Sequence, residues 1–212
     1  MSVLSKLASS LGRRDEVPNQ ELAKEIAESG NKKAIKELVD NLNSTSKDIQ
    51  SDCIKVLYET GERNPTLVAG YASDFIALLD SKSNRMQWGA MRAISSIAAE
   101  NPDVVYKSLA KIVAVSDAGT VITKDHCVKI LVKLCGIKKY TDDAFPLLIE
   151  QILNSPPNQM PTYAESASPF VNDKNKALFV STLTGRLGDI ETPTKKKRVE
   201  KVLAKVMGRS KK

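Results

Sequence analysis

The feature that most constrains this chain is an internal repeat. Asp52-Cys53-Ile54-Lys55-Val56-Leu57 aligns with Gly89-Ala90-Met91-Arg92-Ala93-Ile94 and with His126-Cys127-Val128-Lys129-Ile130-Leu131, each step being 37 residues. The same step links Leu38, Phe75, Ile112 and Ile149, then Leu42, Leu79, Ser116 and Leu153, and it carries Asn64-Pro65 onto Asn101-Pro102. A repeat of this length is one supersecondary unit that buries its apolar face only by stacking on its neighbours.

Each unit reads as two helices. Ile49, Cys53, Val56, Leu57 and Thr60 step by four, three, one and three, which keeps them on one helical face. Met86, Ala90, Ala93, Ile94 and Ile97 repeat the pattern, as do Thr123, Cys127, Ile130, Leu131 and Leu134. Ile35, Leu38, Val39 and Leu42 form the stripe of a first helix. Asn-Pro marks a helix start, where Asn accepts from free amides and Pro fits the first turn. Asp142-Asp143 reads as another such start.

The segment Phe75-Ile76-Ala77-Leu78-Leu79-Asp80, a polar turn, and Met86-Gln87-Trp88-Gly89-Ala90-Met91-Arg92-Ala93-Ile94 resembles a HEAT repeat. The valine-arginine pair that opens the family's second helix is replaced by Met86-Gln87, Ile49-Gln50 and Thr123-Lys124, which leaves an armadillo-type or generic helical repeat open. The resemblance covers residues 31–153. It implies an all-α, right-handed superhelix and a scaffold or adaptor role, since fold by itself does not fix function.

The expected organisation is one structural domain. Residues 1–30 form N-terminal capping helices through Val3, Leu4, Leu7, Leu11, Leu22 and Ile26. Residues 31–192 hold about four two-helix repeats. The fourth is interrupted by an insert near 154–169, too rich in Pro and Ser for a helix, with Ala177–Leu183 as its displaced second helix. Residues 193–212 form a basic capping helix or tail, in which Val199, Val202, Leu203 and Val206 make an apolar stripe.

Charge is concentrated at that end. The chain has a net charge of +7. Residues 193–212 hold nine Lys or Arg against Glu200 alone, while the rest holds 23 bases and 24 acids. The body therefore has no global positive field to draw it to a phosphate backbone. The basic segment makes nucleic acid a possible partner, and its stripe also fits an anionic membrane surface or docking on the last repeat, of which docking is favoured. No apolar run approaches a membrane span. The N-terminus has no signal-peptide pattern, and three cysteines without disulfide or zinc spacing fit a cytoplasmic address.

The candidate binding residues lie on the second helices. Lys55, Arg92 and Lys129 form a basic column two residues past the small core position. Gln50, Gln87 and Lys124 form a polar column at the helix starts. Trp88, with Arg85 and Arg92 on nearby turns, fits a hot-spot anchor. These predict a protein or peptide partner of acidic character. The competing reading of each is a solvated or packed helix face. The alternative function is nucleic-acid binding akin to HEAT-like alkylation-repair glycosylases. Catalytic residues, metal ligands and cofactors are not expected. His126 and Cys127 are neighbours on a helix and point apart, and no nucleotide, zinc or nucleophile-elbow motif occurs.

Overall fold

The computed structural model describes residues 2–208. These contain twelve α-helices and no strand. They fall into two compact units, Met1–Cys127 and Val128–Lys212, so the array expected over 31–192 is shared between two bodies.

In the N-terminal unit the helices are α1 (Val17–Ser29), α2 (Lys32–Asp40), α3 (Lys47–Arg63), α4 (Ala72–Ala77), α5 (Asn84–Ile97), α6 (Pro102–Lys107) and α7 (Leu109–Ala118), followed by the first half of α8 (Val121–Cys135). Short polar side chains set their starts. Asn31, Ser46 and Ser83 accept from the backbone N–H of Ala34, Ile49 and Met86, satisfying donors a helix leaves open. Gly30, at φ 66°, ends α1 in the left-handed conformation that glycine tolerates. Helix α3 packs between α1 and α5, with α2 and α4 behind.

The repeat columns are the core. Cys53, Ala90 and Cys127 have no exposed surface, nor do Leu38, Phe75 and Ile112. Asn64 and Asn101 depart from expectation: neither side chain caps its own helix. Their amides instead donate to carbonyls earlier in the chain, Asn64 Nδ2 to Ala27 O at 3.3 Å and Asn101 Nδ2 to Ala69 O at 3.1 Å. Each following proline still occupies the first turn, as its missing N–H allows.

The C-terminal unit holds the second half of α8, α9 (Thr141–Leu153), α10 (Met160–Ala167), α11 (Lys176–Arg186) and α12 (Pro193–Met207). The insert expected near 154–169 contains α10. Its proline, Pro161, sits in the first turn, where it breaks nothing. The 37-residue step carries Thr123, Cys127, Ile130 and Leu131 onto Met160, Ala164, Ala167 and Ser168, all buried. So α10 is the second helix of the fourth repeat, packed on α9, and α11 opens a fifth that α12 closes. Leu153, read as a core column, is 51% exposed. Asp142 and Asp143 lie in the first turn of α9 and do not cap it.

Helix α12 packs on α10 and α11. Its stripe of Val199, Val202, Leu203 and Val206 is buried, so those side chains are spent on the protein's own core and are not offered to a membrane. The tail beyond residue 208, including Arg209, Lys211 and Lys212, lies outside the described residues.

Candidate functional site

On α3, Lys55, Tyr58, Glu59 and Glu62 step by three, one and three and share a face; on α5, Arg85, Trp88 and Arg92 step by three and four and share one too. Two glycines bring these helices close. A Cβ on Gly89 would lie 2.8 Å from Ile54 Cγ1, and one on Gly61 would collide with Ser96 Oγ. This approach sets Tyr58 against Trp88, with ring centroids 5.9 Å apart and planes tilted by 48°. Arg85 lies over Trp88 at 4.5 Å and Arg92 over Tyr58 at 4.3 Å. The result is a cation–aromatic–aromatic–cation stack across two helices, with Trp88, Arg85 and Arg92 partly exposed.

Carboxylates hold the cations in place. Lys55, only 3% exposed, donates to Glu16 Oε2 and Glu59 Oε1, both at 2.8 Å. Glu16, at the start of α1, also accepts from Arg85 Nη2 at 2.6 Å. Arg92 binds Glu62 through Nε and Nη2 at 2.6 and 2.7 Å and reaches Glu59 at 3.5 Å. Arg63 donates to Glu59 Oε2 at 2.7 Å. Burial opposes the charge on Lys55, yet its hydrogen bonds to Glu16 and Glu59 prevail and hold its pKa above the ordinary lysine value. Burial likewise opposes ionisation of Glu16 and Glu59, and hydrogen bonds from Lys55 with Arg85 or Arg63 outweigh it, so both pKa values are lowered. A cleft of about 450 Å³ opens beside Arg85, lined among others by Arg13, Arg14, Asp48, Ser51 and Asp52.

The structure thus brings Lys55, Arg92 and Trp88 together, in a different role from a row of free cations. Lys55 is a buried strut between two acids. Arg92 is clamped with one edge on Glu62. Gln50 and Gln87 face backbone: their amides donate to Ser44 O at 2.6 Å and Leu79 O at 3.1 Å, closing the turns between paired helices. Lys124 is half-buried at the start of α8. Lys129 is exposed, on the half of α8 that belongs to the C-terminal unit. Tyr58, Glu16, Glu59 and Glu62 were not singled out from the sequence. Glu59 and Glu62 were accessible as helical neighbours of Lys55 and Tyr58, whereas Glu16 arrives from another element.

Among the described residues no group of three or more His, Cys, Asp or Glu gathers to hold a metal ion. Cys127 is buried, which pushes its thiol up to about 12, as it does for Cys53 and Cys135. No described helix is long and apolar enough to cross a membrane.

No protein-family model matches the chain, and no curated protein is similar to it in sequence. Solved structures are similar in fold. A designed armadillo repeat protein in complex with the peptide (KR)4 has a TM-score of 0.66 at 18% identity, covering 87% of this chain and 85% of its own. The fold is an armadillo/HEAT-like helical repeat. A computationally designed armadillo repeat protein for modular peptide recognition superimposes with TM-score 0.62 at 18% identity, over 95% of this chain and 97% of that one. An engineered protein gives 0.63 at 21% identity, over 98% and 100%. At such identities the likeness to these helical-repeat proteins is one of fold.

Proposed function

We propose that this helical-repeat protein is a non-catalytic scaffold that binds a protein segment or extended peptide on the α3/α5 face. The observation that carries this reading is the Arg85–Trp88–Tyr58–Arg92 stack. Trp and Arg dominate binding hot spots, and Trp88, Arg85 and Arg92 are the partly exposed members of the stack, backed by the buried Tyr58. Here they are pre-positioned by packing and by fixed carboxylates, so a ligand loses little by ordering them. The cleft beside Arg85 extends the face toward the N-terminal segment. The peptide-binding designs of the same fold favour this class of partner.

An acidic partner fits the arginines better than the lysines. A guanidinium carries five N–H donors. Arg92 gives Nε and Nη2 to Glu62, and Arg85 gives Nη2 to Glu16, so each keeps donors for an incoming carboxylate. Glycosylase-like recognition of nucleic acid is less well served here, because one of the two aromatic rings, Tyr58, is fully buried and offers no platform for a base. A cytoplasmic address fits the three free, buried cysteines.

The test is selection of displayed random peptides on the immobilised protein, followed by calorimetry of the enriched sequences. Trp88→Ala is expected to weaken them by about 2 kcal/mol, roughly thirtyfold, and the enriched set is expected to be rich in Asp and Glu. Selection that enriches nothing, or peptides that bind Trp88→Ala as tightly as the parent, would remove the reading.

A further inference from the structure

The cationic surface of α12 has no part in the stack on α3 and α5. Its apolar stripe is buried, so the remaining surface of the helix is what it shows to solvent. Lys197, Lys201 and Lys205 are exposed, and Lys196 is half-exposed beside them. Steps of four residues keep the three on one face, each rising about 6 Å along the axis. Two neighbouring cations are already used: Lys195 Nζ donates to Asn158 Oδ1 at 2.8 Å, and Arg198 binds Glu165 at 2.6 and 2.8 Å. Glu200 is the one acid on the helix.

This arrangement is unfavourable for the helix itself. Like charges four residues apart repel. Lys195 and Lys196 crowd the first turn, where the helix dipole is already positive, and no acid is there to offset them. One acid, Glu200, against the exposed or half-exposed Lys196, Lys197, Lys201 and Lys205 leaves most of this charge uncompensated on the helix, and departures from local rules concentrate where function sets the residues.

We propose that this lysine row is a docking surface for the phosphate backbone of nucleic acid, bound without regard to sequence. Charge complementarity selects the occupant. The row holds lysine and no aromatic ring, and lysine is depleted from protein–protein interfaces while it is a standard phosphate contact. Membrane attachment by a basic helix needs its apolar face in the lipid, and here that face is the core of the fifth repeat. With no ring to stack a base and no side chain to read one, the contact is electrostatic and therefore steeply salt-dependent. The proposal stands apart from the peptide reading of α3 and α5.

The experiment measures fluorescence anisotropy of a short, mixed-sequence DNA duplex with the full-length protein over a salt series. Four lysines on phosphates give a log–log slope of about −3.6, a fall of about a hundredfold between roughly 50 and 200 mM salt. The triple variant Lys197→Gln/Lys201→Gln/Lys205→Gln, with the C-terminal residues left intact and helicity checked by circular dichroism, is expected to make the slope shallower by about 2.7. Glu200→Lys, a gain-of-binding variant insensitive to folding losses, is expected to tighten binding and steepen the slope. Either variant binding like the parent overturns the proposal. So does flotation of the parent with phosphatidylserine vesicles at a salt concentration where the duplex is not held.

Discussion

Replacing Lys55 with Met tests whether this side chain is a buried strut or a free cation. Met keeps the aliphatic length, so no large cavity opens. What is lost is two hydrogen bonds between charges, at 2.8 Å each, from an ammonium that is 3% exposed. Each such bond contributes about 1.5–3 kcal/mol, and breaking a buried pair costs about 3–5 kcal/mol when it strands the partner. Here neither acid is stranded. Glu16 keeps Arg85, and Glu59 keeps Arg63 and the more distant Arg92. The cost therefore falls below the stranded-pair range, at about 2 kcal/mol, and urea unfolding shifts down by about 1 M. Trp88, the sole tryptophan, lies in the affected cluster, so its fluorescence reports this unit's transition. A change under about 0.5 kcal/mol, the usual size for a surface residue, would refute the buried role. So would a loss that disappears in about 1 M salt, where the Debye length is about 3 Å and only exposed pairs are screened.

Acid titration should unfold the N-terminal unit through the same network. The folded pKa values of Glu16 and Glu59 are lowered, so their stabilisation is complete above the unfolded glutamate pKa of about 4.3 and drains away as pH falls through the lowered folded values. Trp88 emission should show the loss on the acid side, and Glu59→Gln should flatten that limb; an unchanged limb would mean that Glu59 is not part of the titration. Gly89→Ala should destabilise despite the roughly 1 kcal/mol gain in helix propensity. The new Cβ, 2.8 Å from Ile54 Cγ1, must part α3 from α5, an overpacking cost of about 1–3 kcal/mol. A variant as stable as the parent would show that the helices are not in tight contact there.

The repeat was legible because its columns obey burial: small residues at Cys53, Ala90 and Cys127 let second helices approach, and aliphatic neighbours fill the space around them. The fourth turn of the pattern was hidden by its composition. Met160, Ala164, Ala167 and Ser168 occupy the right positions, but alanine and serine carry little hydrophobic signal, and Pro161 and Pro169 read as breakers. Both prolines stand at starts, of α10 and of the short 3-10 turn Ser168–Phe170, where proline is harmless. The polar column was legible as a column, but its contacts were not: the amides of Gln50 and Gln87 donate to backbone carbonyls of the preceding segment, Ser44 O and Leu79 O, which no residue spacing announces. The cation column hid its counter-charges for a simpler reason. Lys55 and Glu59 are an i,i+4 pair visible in sequence, but Glu16 meets Lys55 only after α1 has packed on α3, and no local pattern announces that.

Charge divides the molecule by mechanism as well as by position. The N-terminal unit holds 16 bases and 17 acids, the C-terminal unit 16 bases and 8 acids. Around Trp88 the cations are paired internally, so the face projects little net field, and discrimination there comes from the fixed geometry of rings and guanidinium groups. Such contacts lie largely inside the screening distance and persist as salt is raised. On α12 the exposed lysines outnumber the helix's single acid, Glu200, and what they attract is set by field, which salt screens. Two ligands bound by one chain through these two surfaces would thus separate along a single axis, ionic strength. A peptide held on α3 and α5 should remain at a salt concentration that releases a nucleic acid from α12.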